Sequence, residues 1–257
     1  MCGRYASSRK PEDLVEEFEV DRVDVREKLE PDYNVAPTKP VYAVFDRVAH
    51  DAPRDSPPQR RLRTLTWGLV PSWAKDSSIG SRLINARMET LADKPAYTRA
   101  FAKRRCLLPA DGYFEWYPTQ QIGRSGKPVK QPFFIRPSDG GVLAMAGLYE
   151  IWRNREVPED HDEAFLWTAT IITTSAEDSL GHIHDRMPML VERDRYSTWL
   201  DSSVVDLGDL SSLLVPASPG RLSAFPVSTA VNNVRNNGVE LIEPLTPVGP
   251  PGALFEP

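Results

Sequence analysis

Between residues 105 and 174 the chain contains four runs rich in β-branched and aromatic residues, and these runs constrain the fold more than any other feature. The runs are Arg105–Trp116, Pro132–Arg136, Val142–Trp152 and Phe165–Thr174. Loops rich in glycine, proline and charge separate them, which is typical of antiparallel strands joined in a meander. The pattern predicts that a curved antiparallel sheet dominates the fold.

Shorter elements are predicted around this sheet. The alternation of Leu65, Trp67 and Leu69 with small or polar residues indicates a strand. The remaining predictions are a strand over Val41–Val48, a loop over Asp51–Arg61, and helices over Pro11–Phe18, 86–104 (broken near Pro95) and Glu192–Leu200. Together they predict an α+β fold, with a mostly antiparallel, curved, open barrel-like β core and short flanking helices.

The length of 257 residues fits one or two domains, and no long flexible linker interrupts the chain. We therefore expect one domain over residues 1–257, with a core of about 2–243. The segment 244–257 contains five prolines and is predicted to be a loose tail.

Charge and cysteine content exclude several classes of protein. A net charge of −5 argues against a protein that coats nucleic acid nonspecifically, although it is compatible with a local basic groove. The two cysteines, Cys2 and Cys106, form no CxxC pair, so neither a disulfide framework nor a zinc finger is expected. No secretion signal or apolar run of membrane-spanning length is evident. We expect a cytoplasmic monomer without membrane contact.

Cys2 is the strongest chemical candidate. If Met1 is removed, this residue carries a free α-amine and a thiol on adjacent carbons, and such an aminothiol condenses with an aldehyde to a five-membered thiazolidine. An α-amine has a pKa of roughly 7.7–8.0, so about a quarter of it is neutral and nucleophilic near pH 7.4. The alternative is an incidental cysteine after the initiator methionine.

Several further motifs follow in a fixed order and resemble one family. They are Met1–Tyr5, Tyr33–Thr38, Trp67–Trp73, Ile84–Thr90, Asp111–Trp116, His184–Pro188 and, near the end, Val227–Val234. Any one motif is weak, but the ordered set closely resembles the SRAP (SOS-response-associated peptidase) family over roughly residues 2 to 243.

The resemblance implies a mostly β SRAP fold and a function in the DNA damage response. It implies that Cys2, once Met1 is removed, crosslinks to abasic sites in single-stranded DNA or at its junctions with duplex, and shields the lesion. It also implies an enzyme without cofactor that associates with the nucleoid when bound to DNA. The word "peptidase" reflects an older proposal of proteolysis.

The resemblance assigns catalytic roles to Glu115, His184 and Asn85. Glu115 lies between aromatic residues, a setting that raises a carboxyl pKa toward general-acid use. A solvent-facing strand glutamate is the alternative. His184 is suited to proton transfer near neutral pH. His182 could pair with it on a metal, but no third ligand is evident and no metal is expected.

DNA-binding roles follow in the same way. Arg4 and Arg87 fit phosphates beside the lesion, because a guanidinium binds phosphate bidentately, although either could form a surface ion pair. Asn34, like Asn85, could orient the lesion sugar or the Cys2 amine, or Asn34 could be a turn residue.

Three apolar residues, Pro37, Trp67 and Trp73, are candidates for stacking on bases, which is worth roughly 1–3 kcal/mol per base. A core role is the alternative, more so for Trp67 than for Trp73. Ala74 follows Trp73 where a family member has a second tryptophan, which puts tight junction binding in doubt.

Two other functions remain open. A thiol peptidase or autoprotease would use Cys2 as nucleophile and His184 as base. A noncovalent single-strand binding module would use only the tryptophans and arginines.

Overall fold

The computed structural model describes residues 2–49, 52–53, 55–176, 180–213 and 220–245. Its strands are, in chain order, β1 (Tyr5–Ser7), β2 (Arg22–Asp24), β3 (Asp32–Val35), β4 (Pro40–Arg47), β5 (Gln59–Trp67), β6 (Asn85–Arg87), β7 (Arg105–Ala110), β8 (Gly112–Ile122), β9 (Pro128–Pro137), β10 (Leu143–Arg153), β11 (Phe165–Ser175), β12 (Arg186–Pro188) and β13 (Leu222–Pro226).

The α-helices are few and short. They are α1 (Pro11–Phe18), α2 (Thr98–Lys103), α3 (Tyr196–Leu200) and α4 (Leu207–Leu213). In the part of the chain that the structure describes, no helix has the length and apolar character needed to cross a bilayer.

Five strands close into a barrel. β4 pairs with β5, β5 with β11, β11 with β10, β10 with β7, and β7 returns to β4. The closing contact between β5 and β11 is parallel and joins Thr66 to Thr168 and Trp67 to Ala169, whereas the other four pairings are antiparallel. The predicted α+β class with a curved, mostly antiparallel core is therefore confirmed, and the barrel is closed rather than open.

Both faces of β4 are buried, which explains its continuous apolar sequence. Val41 and Phe45 point into one core cluster with Trp67, while Tyr42 and Val44 belong to a second cluster that includes residues of the helices. A strand covered on both faces reads as a run of apolar residues rather than as an alternation.

A second sheet of five strands has the order β13-β9-β8-β1-β3. β1 pairs with β3 on one side and with β8 on the other, so the start of the chain forms an internal strand of this sheet.

The predicted run Arg105–Trp116 is not one strand. The chain breaks at Asp111, so that β7 joins the barrel and β8 joins the second sheet. The Asp111 carboxylate accepts a hydrogen bond from the Ser8 N–H at 2.6 Å and forms an ion pair with Arg9 at 3.1 Å. These contacts hold the turn between β7 and β8 to the N-terminal segment. The predicted meander is therefore wrong: only β8–β9 and β10–β11 pair as neighbours along the chain within the predicted region.

The helix predicted over residues 86–104 is largely wrong. Its first residues form β6, which pairs in parallel with β11 through Ala86 and Ile172, and only α2 is an α-helix. The tertiary contact with β11 outweighs the local helix propensity.

The other local predictions fare better. The helix over Pro11–Phe18 and the strand near Val41–Val48 are confirmed, and Glu192–Leu200 ends in α3 after one 3₁₀ turn. The loop predicted over Asp51–Arg61 ends early, because β5 begins at Gln59, and Leu69 lies beyond the end of β5. The predicted loose tail lies outside the described residues from 246 onward.

Arg105 joins the ends of two helices. Its buried guanidinium donates to carbonyl oxygens of Phe101 and Ala102 in α2, both at 2.8 Å, and to that of Trp199 in α3 at 2.6 Å. Burial lowers its pKa to about 10, so it remains charged near neutral pH.

We expect Arg105→Met to lower the free energy of unfolding by about 3 kcal/mol, because it leaves several buried carbonyl oxygens without a donor. Urea denaturation measures the change. Lys103→Met, at an exposed position of α2, should change the free energy of unfolding by less than about 0.5 kcal/mol. Equal effects of the two substitutions would contradict the assigned role of Arg105.

Candidate active site

Strand β1 fixes the position of Cys2. Tyr5 pairs with Tyr113 of β8, and the Phe114 N–H donates to the carbonyl oxygen of Arg4 at 2.9 Å, so the pairing continues toward the N-terminus. Cys2 is fully buried and belongs to the core cluster that contains Tyr5. The extended start of the chain is thus tied to the strand that carries Glu115.

Asn85 holds the backbone of Cys2 from the barrel side. Its Nδ2 donates to the Cys2 carbonyl oxygen at 2.8 Å, and its own carbonyl oxygen accepts from the Tyr97 hydroxyl at 3.1 Å. Its Oδ1 is buried and accepts no hydrogen bond from the described residues. Because the carbonyl belongs to Cys2 itself, this contact does not depend on Met1.

Glu115 is a buried carboxyl group, only 2% exposed. Burial raises its pKa from 4.5 to about 7; the charge of Asp185 adds to the rise, and Lys130 opposes it. Near neutral pH both protonation states are populated, as a group that gives and takes a proton requires.

His184 faces Glu115, with its Nε2 at 3.9 Å from the Glu115 Oε2. Its Nδ1 lies 3.0 Å from both the Arg186 backbone nitrogen and the Asp185 Oδ1. The contact with the Arg186 N–H requires an unprotonated Nδ1, whereas a hydrogen bond to the Asp185 carboxylate requires a protonated one. The backbone N–H can only donate and Asp185 is exposed, so we assign an unprotonated Nδ1 and an N–H on Nε2. Burial lowers the pKa of His184, which favours this neutral form.

The Cys2 thiol is held in its neutral form. Burial raises its pKa well above the ordinary range, and the negative charge of Glu115 raises it further. The thiol therefore needs a base to take its proton. The described residues contain no group of three or more His, Cys, Asp or Glu side chains placed to hold a metal ion.

Arg4 and Asn34 form a support rather than an open surface. Arg4 donates to the Asn34 Oδ1 at 2.7 Å and to the Val231 carbonyl oxygen at 2.8 Å. The Asn34 Nδ2 lies within 3.2 Å of the carbonyl oxygens of Val231, Asn233 and Asn236. Asn34 is fully buried, and its predicted role at the lesion sugar or the Cys2 amine stays a prediction.

Trp67 also differs from the prediction. It is fully buried, it packs edge-on against Tyr5 with ring centroids 5.2 Å apart, and its Nε1 donates to the Ile84 carbonyl oxygen at 2.9 Å. No face of this ring is open to a base, and Trp67 is a core residue.

The exposed candidates are Trp73, Arg87 and, in part, Pro37. Trp73 is 60% exposed, and Arg87 is exposed at the end of β6, two residues after Asn85.

Gly68 begins the segment that leads to Trp73. Its φ is 125°, and a Cβ at this position would lie 2.6 Å from the Gly80 carbonyl oxygen. Only glycine fits this conformation and this close approach.

The family model for SRAP, "SOS response associated peptidase", matches residues 1–234. The chain belongs to the SRAP family. The resemblance predicted from the ordered motifs is confirmed.

Relatives of this SRAP chain cover nearly all of it. "Abasic site processing protein YoaM" of Bacillus subtilis is 35% identical over 243 residues, or 95% of this chain and 98% of the relative. "Abasic site processing protein YedK" of Escherichia coli is 34% identical, covering 95% and 100%, and "Abasic site processing protein HMCES" of Gallus gallus is 33% identical, covering 95% and 78%. A crystal structure from Bacteroides thetaiotaomicron shares the fold, with a TM-score of 0.77 at 22% identity and coverage of 95% and 100%.

Three aromatic residues that support the SRAP site were not predicted. Trp116 stacks under the Arg4 guanidinium at 5.5 Å and donates to the Asn232 Oδ1 at 2.7 Å. The Trp152 Nε1 donates to the Ala74 carbonyl oxygen at 2.8 Å, beside Trp73, and Tyr97 supports Asn85. Trp116 directly follows Glu115 in its motif, and this adjacency was the available signal; Trp152 and Tyr97 lie outside the motifs.

The raised pKa of Glu115 predicts a cost in stability. Below about pH 4.5 the carboxyl is neutral in the folded and in the unfolded protein. Above about pH 7 it is ionised in both, and the folded protein then carries the cost of a buried charge. We therefore expect Glu115→Gln to stabilise the protein more at pH 8 than at pH 4, by on the order of 3 kcal/mol. Urea denaturation at the two pH values measures this difference.

The matched control for this comparison is Glu16→Gln, at an exposed position of α1. It should show no gain that depends on pH. An equal effect of Glu115→Gln at pH 4 and pH 8 would contradict the raised pKa.

Proposed function

We propose that this SRAP protein processes abasic sites in single-stranded DNA by a covalent crosslink, in which the α-amine and thiol of Cys2 close a thiazolidine with the aldehyde of the opened sugar. The arrangement of Glu115 carries the proposal. A buried carboxyl with a pKa of about 7 lies close enough to Cys2 to influence its thiol, and the Cys2 backbone is held by Asn85. The curated relatives named above bear the name "abasic site processing protein".

The first step uses the amine. The neutral α-amine, free after Met1 removal, attacks the aldehyde carbon and gives a carbinolamine. Protonated Glu115 then donates a proton to the hydroxyl group, which leaves as water, and an iminium forms. The unused Oδ1 of Asn85 is an acceptor suited to orienting the amine.

The second step uses the thiol. Its sulfur adds to the iminium carbon, the nitrogen becomes neutral, and the thiol proton passes to the Glu115 carboxylate left by the first step. The overall reaction releases one water and needs no other reagent. We assign His184, whose Nε2 lies 3.9 Å from the Glu115 Oε2, the role of hydrogen-bond donor to the leaving hydroxyl.

Arg87, Trp73 and Pro37 are proposed to contact the DNA on either side of the lesion. Arg87 would bind phosphate, and Trp73 and Pro37 would pack against bases. We further propose that the protein acts as a single-domain monomer.

A thiol peptidase is less compatible with this site. Such an enzyme needs a lowered thiol pKa to generate a thiolate, whereas burial and Glu115 raise that of Cys2.

The test of the proposed function is incubation with a single-stranded oligonucleotide containing one abasic site, with the same oligonucleotide undamaged, and with a mixture of peptides. Mass spectrometry first establishes that Met1 is absent. We expect an adduct stable to boiling in SDS with the abasic DNA alone. Peptide cleavage without an adduct would favour the peptidase, and DNA binding without an adduct would favour the noncovalent module.

The proposed DNA contacts differ in their dependence on salt. Arg87→Ala should weaken binding and reduce the slope of log affinity against log salt by about 0.7, since one phosphate contact in a single strand is lost. Trp73→Ala should weaken binding by about 1–3 kcal/mol with an unchanged slope, because stacking releases no counterion. Fluorescence anisotropy over a range of salt concentrations measures both. Equal changes of slope would contradict this division.

A further inference from the structure

A basic cleft lies at the end of the barrel that faces away from Cys2. Its cavity of about 590 Å³ is lined by Asp46, Arg47, Val48, Arg99, Lys103, Arg104, Tyr149 and Ser202. Pro40, at the other end of β4, pairs with Thr66 beside Trp67, and Trp67 packs on Tyr5 of β1. The eight residues of β4 therefore separate the cleft from the Cys2 side of the barrel by roughly 23 Å.

The carboxylates around this cleft already have cationic partners. Asp46 forms an ion pair with Arg60, with Nε and Oδ1 3.0 Å apart. Arg104 forms an ion pair with the buried Glu150. Among the described residues, Arg47, Arg99 and Lys103 have no carboxylate partner, so three positive charges remain at one cavity of a chain with net charge −5.

Two of these cations lie on α2. Arg99 and Lys103 are four residues apart, so they share one face of the helix, where like charges repel each other. This repulsion costs stability locally, and a bound anion would relieve it.

The Arg47 side chain, which lines the cleft, is held by packing on an aromatic ring. Its guanidinium stacks on the Trp167 ring at 5.0 Å from the centroid, while Arg63 stacks on the same ring at 4.2 Å. Stacking uses the face of the guanidinium and leaves its N–H edge available for an oxyanion. Tyr149 is buried and Ser202 is exposed, so the cleft has a closed floor and a polar rim.

We propose that this cleft is a second ligand site, which binds phosphate groups independently of Cys2. The three unpaired cations, two of them arginines, match the charge and the geometry of a diphosphate or of neighbouring phosphates in a nucleic-acid backbone. A protein attached at Cys2 to one strand would then hold a second phosphate-bearing ligand at its opposite end.

The test uses the complete chain and inorganic pyrophosphate, titrated by calorimetry at low salt. Arg99→Gln combined with Lys103→Gln should weaken binding at least tenfold. Arg124→Gln combined with Lys127→Gln removes the same two charge types from exposed positions between β8 and β9, and should change the affinity less than twofold.

Competition with an undamaged single-stranded oligonucleotide then distinguishes the source of the phosphate. Displacement of pyrophosphate identifies nucleic-acid backbone as the ligand, and its absence identifies a free phosphate compound; either result agrees with the site. Circular dichroism and the melting temperature establish that the variants fold. No binding of pyrophosphate by the native chain, or equal affinity of the two double variants, would overturn the proposal whatever the outcome at Cys2.

Discussion

A protein that carries one extra residue before Cys2 is expected to form no SDS-stable adduct with abasic single-stranded DNA, because the amine and the thiol no longer lie on adjacent carbons and cannot close a thiazolidine. The extra residue turns the α-amine into an amide, which cannot attack an aldehyde, while the thiol is unchanged. The thiol cannot replace the amine, because burial and Glu115 hold it in its neutral form. Gel shift after boiling in SDS measures the loss, which we expect to be complete.

Cys2→Ser is the matched variant for the other half of the aminothiol. With Met1 removed it keeps the amine and should still form a Schiff base that borohydride traps. Without the reductant, the stable adduct should be largely absent because a thiazolidine can no longer close. Cys2→Ala should behave in the same way. Adduct formation by the chain with the blocked amine at the native rate would show that the thiol acts alone, and the proposed chemistry would be wrong.

Glu115→Gln is expected to slow crosslinking by about 10²–10⁴-fold, the usual contribution of general acid–base catalysis. The amide keeps the shape of the side chain but cannot pass a proton to the leaving hydroxyl or take one from the thiol. Affinity for abasic DNA should stay within a few-fold, since Glu115 is buried and its replacement removes no cation. Single-turnover rates and binding isotherms separate the two effects, with Glu16→Gln as the control at an exposed position.

The pH dependence provides a second measurement of the same group. The neutral fraction of the α-amine rises with pH, whereas the protonated fraction of Glu115 falls as the pH passes its pKa of about 7. We therefore expect a bell-shaped rate profile for the native protein and loss of its alkaline limb in Glu115→Gln. An unchanged profile would exclude Glu115 from the proton transfer.

The sequence predicted the class of the fold because its strand periodicity is local. It did not predict closure of the barrel, since the β5–β11 contact joins Thr66 to Thr168 and Trp67 to Ala169 across about a hundred residues and leaves no local pattern. Pairing with the same strand, β11, places Ala86 and Arg87, the first two residues of the predicted helix, in a strand. Pairing between strands that are distant in sequence therefore explains both the closed barrel and the strand β6.

In the candidate site, too, local motifs were predictive and non-local contacts were not. Cys2, Asn85, Glu115 and His184 were predicted because each lies in a recognisable motif, and the structure brings them close together: Asn85 contacts Cys2, and Glu115 lies near both Cys2 and His184. The support from Asn34 could not be predicted, because its partners are backbone carbonyl oxygens, which every residue has and no sequence pattern marks.

The position of β1 between two neighbouring strands has a mechanical consequence. If DNA is attached at Cys2 as proposed, tension on the nucleic acid would be transmitted through the backbone to Tyr5 and Ala6, which are paired with neighbouring strands of the second sheet. A motor that pulls on the strand would load the interior of the sheet rather than a dangling end. Release of the DNA by force would then require extraction of β1 from between β3 and β8.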